Sequence, residues 1–92
     1  MEKKVLQLAV KEPWFSMIAN GEKLEEYREI KEYWTGRIGG DCEYTHILFI
    51  NGYGATRPRV EKEITSITIG KPKDGWCPKE FLGKDYYVIS FK

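Results

Sequence analysis

The chain has 92 residues, and 15 Lys and Arg against 14 Asp and Glu leave a formal net charge of +1. That length holds a single domain, 1–92. The charge balance excludes a protein that grips nucleic acid by bulk electrostatics, because each phosphate contact needs a cation; any nucleic-acid role must be local, in a cleft, at one nucleotide or on a small patch. With 41% hydrophobic and 14% aromatic residues and a mean hydropathy of −0.53, the composition is that of an ordinary soluble globular domain. Cys42 and Cys77 are the only cysteines. They lie far apart with no CxxC or histidine pair nearby, so they make no zinc site, and no metal or cofactor is implied. The opening Met1-Glu2-Lys3-Lys4 leads into a short apolar run that is neither a signal peptide nor a membrane span. The expectation is a reduced, cytoplasmic protein with no membrane partner.

In chain order, Lys4 to Lys11 carries Val5, Leu6, Leu8 and Val10 without a turn residue and predicts a first strand buried on both faces. Glu12-Pro13 then opens a short helix in which Trp14, Met17 and Ile18 share a face, and Asn20-Gly21 ends it. Leu24 to Ile30 is charged but extended. Thr45 to Asn51 is the clearest central strand. Gly52-Tyr53-Gly54 makes a turn, and Pro58 to Ile69 is a long strand in which Ile64, Ser66 and Thr68 alternate with Thr65, Ile67 and Ile69. Gly70 to Gly83 is a loop with one helical turn around Lys79 to Leu82, and Tyr86 to Phe91 is the last strand. Five or six strands with one or two short helices predict an α+β domain built as a small mixed β-barrel. A parallel βαβ fold is disfavoured, because little of the chain is long enough for a crossover helix.

Gly21-Glu22-Lys23-Leu24-Glu25-Glu26-Tyr27-Arg28 concentrates the chemistry. On a strand, Leu24, Glu26, Arg28 and Ile30 point to one face and Glu25, Tyr27 and Glu29 to the other. Buried charge is costly unless paired and hydrogen-bonded. Either this face is a solvated sheet surface, or Glu26 and Arg28 line a polar cleft. In a cleft, Lys23 and Arg28 could hold a phosphate or a base oxygen, and Glu26 could orient the lysine or accept from a base amino group. A carboxylate beside a lysine could also serve as acid–base machinery, with Lys23 and Glu26 the candidate catalytic pair.

Gly21, Lys23, Glu26 and Arg28 match the pattern GxKxxExR. In this the chain resembles the ASCH domain family, whose fold is a PUA-like β-barrel. The opening strand, the short Trp14-to-Asn20 helix feeding Gly21, the Ile47-to-Gly54 strand and turn and the late Ile64-to-Gly70 strand are similar to ASCH order over nearly the whole chain. Asn51-Gly52-Tyr53-Gly54 resembles compact members of bacteria and their phages. The resemblance implies a cleft between barrel and first helix, walled by Lys23, Glu26 and Arg28, that binds RNA or a nucleotide or nucleoside. Some bacterial members are amidohydrolases of N4-acetylcytidine that use the motif lysine, a threonine three residues later and a downstream glutamate. Lys23 matches the lysine, the threonine position holds Glu26, and Glu61 or Glu63 stands nearest the place of the glutamate. A carboxylate does not simply replace a hydroxyl as nucleophile or donor. Other members are reported as ribonucleases. A module that binds a protein partner is the third reading, and its mark would be an exposed apolar patch away from Lys23.

Further residues extend the candidate ligand set. Tyr53, in its glycine-flanked turn, could stack on a base, and Asn51 could bind a base edge. Arg57 and Arg59 form a local basic spot, or else a solvated turn. Trp14 reads as core. Tyr33-Trp34 read as a cap on the barrel, and His46 as a structural residue of its strand. The Asp74-Gly75-Trp76 loop reads either as a lid over the cleft or as a plug for the barrel end.

Overall fold

A computed structural model of the chain describes residues 2–40, 43–54 and 56–92; Cys42 lies outside them. The elements run β1 (Val5–Val10), α1 (Trp14–Ala19), β2 (Glu25–Arg28), α2 (Glu32–Ile38), β3 (His46–Asn51), β4 (Arg59–Gly70), a 3-10 turn (Lys79–Phe81) and β5 (Tyr86–Phe91). The strands form one five-stranded sheet in the order β1-β3-β4-β5-β2. It is an α+β fold with a mixed sheet, and the sheet is not closed into the expected barrel: β1 and β2 remain as its two edges.

β1 and β3 pair in parallel, whereas the other neighbours are antiparallel. A parallel pair needs a long crossover. The chain provides it by inserting α1, β2 and α2 between β1 and β3 and sending β2 to the far edge, beside β5. The reading that disfavoured a parallel connection looked for a single crossover helix, and the crossover here is composite.

β1 turns Leu6, Leu8 and Val10 into the core and leaves Val5, Gln7 and Ala9 outside it. It is therefore buried on one face, not two, as suits an edge strand with nothing stacked on its outer side. On α1 the buried positions are Phe15 and Ile18, while Trp14 and Met17 sit at the boundary. α2 falls in a stretch where the sequence pattern gave no element. Ile38 is its one buried residue, too little apolar periodicity to announce a helix.

β4 is long enough to serve two partners. Arg59 to Glu63 pairs with β3, and Ile64 to Gly70 pairs with β5. A register shift between Ile64 and Ser66 takes Thr65 out of the ladder, and such a bulge bends a strand and reverses its parity. Ile64, Ile67 and Ile69 thus oppose Phe91, Ile89 and Tyr87 on one face, where strict alternation put Ile64 opposite in sense to the other two.

β5 is buried on both sides. Tyr87, Ile89 and Phe91 join the main core with β1, β3 and both helices. Tyr86 and Val88 join a second cluster with Tyr27 and Cys77, against which Trp76 and Phe81 pack. The segment 71–85 covers this second face as a flap. Among the described residues, no helix is long and apolar enough to cross a membrane.

Ile89 is 0% exposed in the middle of β5, and Ile69, on the same face, is 59% exposed. Ile89→Ala is expected to cost about 2–5 kcal/mol in urea unfolding, and Ile69→Ala no more than about 1 kcal/mol. Equal losses would contradict this placement of the core.

Candidate functional site

The motif begins where α1 stops. Gly21 takes φ +88, a conformation open to glycine and strained for other residues, and the amides of Glu22 and Lys23 both return to the Met17 carbonyl, at 2.9 and 3.0 Å. This tight turn directs Lys23 into the interior instead of along the surface. Its side chain is 0% exposed. Nζ donates to Glu26 Oε1 at 2.8 Å and to the Glu25 carbonyl, and lies 5.2 Å from the centre of the Tyr27 ring.

Pairing with β5 decides where the rest of the motif points. Glu26 stands opposite Ile89, and Arg28 opposite Tyr87, so both share the main-core face at the sheet edge. Glu26 is 7% exposed. Its Oε1 also accepts the Tyr27 amide at 3.2 Å, and its Oε2 lies 3.5 Å from Arg28 Nη1. Arg28 donates from Nη1 to the Tyr27 carbonyl at 2.7 Å and from Nη2 to the Ala9 carbonyl of β1 at 3.2 Å. Its guanidinium lies 5.4 Å from the Trp34 ring centre. One side chain therefore spans the gap between the two edge strands.

Tyr27 faces the other way. It is buried in the second cluster, where its hydroxyl donates to Glu25 Oε1 at 2.7 Å and accepts the Lys73 amide at 3.1 Å. The latter bond ties the flap to β2. Burial pushes the Lys23 ammonium below its usual pKa, while Glu26 beside it holds it partly up. Burial pushes the Tyr27 phenol and the Cys77 thiol upward, with the Lys23 charge opposing the shift at Cys77.

A cavity of about 380 Å³ opens between the sheet edges. The end of β1 from Ala9 to Lys11 forms one wall, and Glu26 to Glu29 of β2 another. α1 and α2 contribute Trp14 and Trp34, and the flap contributes Trp76, Cys77, Pro78, Glu80 and Phe81. All three tryptophans of the chain meet here. A larger groove of about 710 Å³ lies along β4 beside the end of α2, but its lining is mostly apolar or hydroxylic, with Glu63 the one charged residue, and it contains none of the motif.

Of the residues singled out in the sequence, Glu26 and Arg28 come together in the cavity, and Lys23 sits behind them without lining it. Asn51, Tyr53 and Arg57 belong to the β3–β4 turn, outside the cavity. Arg57 Nε donates to the Asn51 carbonyl at 2.6 Å, and Tyr53 is 90% exposed. Ala9 adjoins both places, since it also lines a small hollow with Tyr53. Glu61 and Glu63 are elsewhere, beside Lys3 at 2.6 Å and Lys92 at 3.9 Å. The downstream carboxylate that does reach the cavity is Glu80, on the 3-10 turn Lys79–Phe81; the sequence marks the helical turn there but nothing that gives its carboxylate a role. Trp34 is a cavity wall packed against the main core, not a barrel cap, whereas Trp14, expected in the core, is half-buried, joins neither core cluster and lines the cavity. Comparison with protein-family models, curated proteins and solved structures finds no match for this chain.

Lys23→Met would leave Glu26 buried beside a lost partner, at an expected cost of about 3–5 kcal/mol. Lys23→Met with Glu26→Gln removes the stranded charge and is expected to recover at least about half of that in chemical denaturation; strict additivity would contradict a coupled pair. Tyr27→Phe frees the flap amide. In a Cys42→Ser background it is expected to raise the rate of Cys77 modification by a thiol reagent at least about tenfold, the equivalent of one lost hydrogen bond. An unchanged rate would mean that packing alone holds the flap.

Proposed function

We propose that the chain is an ASCH-type, PUA-like domain that binds RNA or a nucleotide-sized ligand by taking one base or nucleoside into the cavity between β1 and β2. The observation that carries this reading is the side-by-side presentation of Glu26 and Arg28 inside an aromatic-walled cavity of about 380 Å³. A base offers a flat π face and an edge of donors and acceptors. Glu26 Oε2 accepts from an exocyclic amino group, Arg28 donates to a ring nitrogen or carbonyl, and the tryptophans provide stacking surface. The volume lies near the lower end for small-molecule sites, about 300–1,000 Å³, enough for one nucleoside and far too small for a helix. The net charge of +1 agrees with a local contact of this kind. The Arg28 bridge to Ala9 supports the PUA-like part of the reading, since β1 and β2 approach each other where such a barrel would close.

Lys23 acts from behind. Its ammonium fixes Glu26 Oε1, leaving Oε2 turned to the ligand. In the alternative reading, hydrolysis of an N4-acetylcytidine-like nucleoside, the lysine would have to reach the substrate, yet its amine is occupied by two oxygens and does not line the cavity. Binding therefore ranks ahead of turnover. A protein-interaction module ranks last, because Glu26, Arg28 and the three tryptophans converge on one cavity.

Intrinsic tryptophan emission reports on all the walls at once. Titration with nucleosides (N4-acetylcytidine included), nucleotides and short single-stranded RNA is expected to give a saturable change below about 1 mM. Glu26→Gln is expected to weaken it at least about tenfold, as for a lost hydrogen bond to a charged group, and chromatography is expected to find N4-acetylcytidine intact. No saturable change with any ligand would remove the reading, and cytidine released by wild type but not by Lys23→Met would replace it with the hydrolase.

A further inference from the structure

The turn between β3 and β4 carries an exposed aromatic ring and two arginines that bond to the turn's own backbone. Tyr53 is 90% exposed, whereas among the described residues no other exposed large apolar side chain exceeds 59%. It stands between Gly52 and Gly54, both with positive φ, +85 and +117, so the backbone is shaped to lift the ring away from the sheet. Arg57 and Arg59 lie along the same turn. Arg57 Nε donates to the Asn51 carbonyl at 2.6 Å, and Arg59 Nη2 donates to the Gly54 carbonyl at 3.1 Å. Between Asn51 and Val60 the sequence holds no acidic residue. An exposed ring on the same turn as two arginines suits a base stacked near its phosphates.

The turn also lies close to the cavity. The Gly52 amide donates to the Val10 carbonyl at 3.1 Å, and Ala9, whose carbonyl accepts from Arg28, lines the hollow beneath Tyr53 together with Gln7 and Ile50. The end of β1 thus borders both places. We infer that the β3–β4 turn is a second contact for single-stranded RNA, in which Tyr53 stacks on the nucleotide next to the one held in the cavity and Arg57 and Arg59 hold the phosphates between them. This rests on the cavity reading above for its first nucleotide, and adds that the partner is a strand and not a free nucleoside.

The test compares the four ribonucleosides with the homotrimeric ribonucleotides of A, C, G and U, by tryptophan emission and calorimetry, on wild type, Tyr53→Ala, Tyr53→Phe and Arg57→Ala. In wild type the best trimer is expected to bind at least about tenfold more tightly than its nucleoside, the scale of one stacked base. Tyr53→Ala is expected to lose that gain while nucleoside affinity and melting temperature stay unchanged, and Tyr53→Phe to keep it. Arg57→Ala is expected to lower the slope of log affinity against log salt by about 0.7 for the trimer, one phosphate contact on a single strand. A trimer no tighter than its nucleoside, or a gain that survives Tyr53→Ala, overturns the inference while the cavity reading stands. Trimer binding lost in Tyr53→Ala, with no nucleoside binding in wild type, overturns the cavity reading and supports the turn as a contact.

Discussion

The burial of the Lys23 ammonium is the constraint from which the rest of the site follows. A charge without exposure must be met by oxygens fixed in advance, because the desolvation penalty is otherwise several kcal/mol. Here the oxygens come from the next three residues, the Glu25 carbonyl and the Glu26 carboxylate. That is possible because Gly21 lets the chain turn directly after α1, so that Lys23 is aimed inward before β2 begins. With Glu26 held inward, strand alternation brings Arg28 to the same face, beside the second carboxylate oxygen. Three charges are thereby ordered by one turn and one short strand. A buried pair of this kind contributes little net stability; what it supplies is a carboxylate that cannot rotate.

The second consequence concerns the sheet edge. β2 has only four residues, and its length matches the part of β5 it covers. It leaves no backbone ladder toward β1. The Ala9 carbonyl that such a ladder would have paired is instead taken by Arg28. The cavity exists because the sheet stays open at this place, and Arg28 keeps the two edges in register without filling the space between them. The flap closes the far wall, and its attachment through Tyr27 means that consecutive residues of β2 serve different ends: Glu26 and Arg28 face the cavity, while the residue between them secures its roof.

Much of this architecture was legible in the sequence, and the parts that were not share a cause. β1, β3 and β5 are dense apolar runs, and the i, i+2 relation of Glu26 and Arg28 follows from the strand period alone. The open choice between a solvated face and a polar cleft at Glu26 falls on the side of the cleft. α2 stayed hidden because a helix that buries one isoleucine leaves no stripe. The parity of β4 changed at Thr65, and a bulge has no local signature among alternating Ile, Thr and Ser. The tryptophan walls were invisible for a different reason. Trp14, Trp34 and Trp76 come from three separate segments, and only the composite crossover and the flap bring them together. Local periodicity reports which face a residue takes, not which distant face it meets.

The same separation runs through the electrostatics. Around the cavity, Lys11 and Arg28 stand against Glu26, Glu29 and Glu80, with Lys23 behind, so the charges nearly cancel. A balanced site attracts no polyanion from a distance. In the proposed reading, selectivity would come from the direction of hydrogen bonds made by Glu26 and Arg28 beside the aromatic walls. Attraction for phosphate, if the proposed reading holds, must come from somewhere else, and the acid-free turn with Arg57 and Arg59 is placed next to the cavity and not inside it. Moving those two cations into the cavity would strengthen the grip on any phosphate at the expense of discrimination between bases. In the proposed reading, keeping them on a neighbouring turn would let a chain of net charge +1 hold a strand and still read a base.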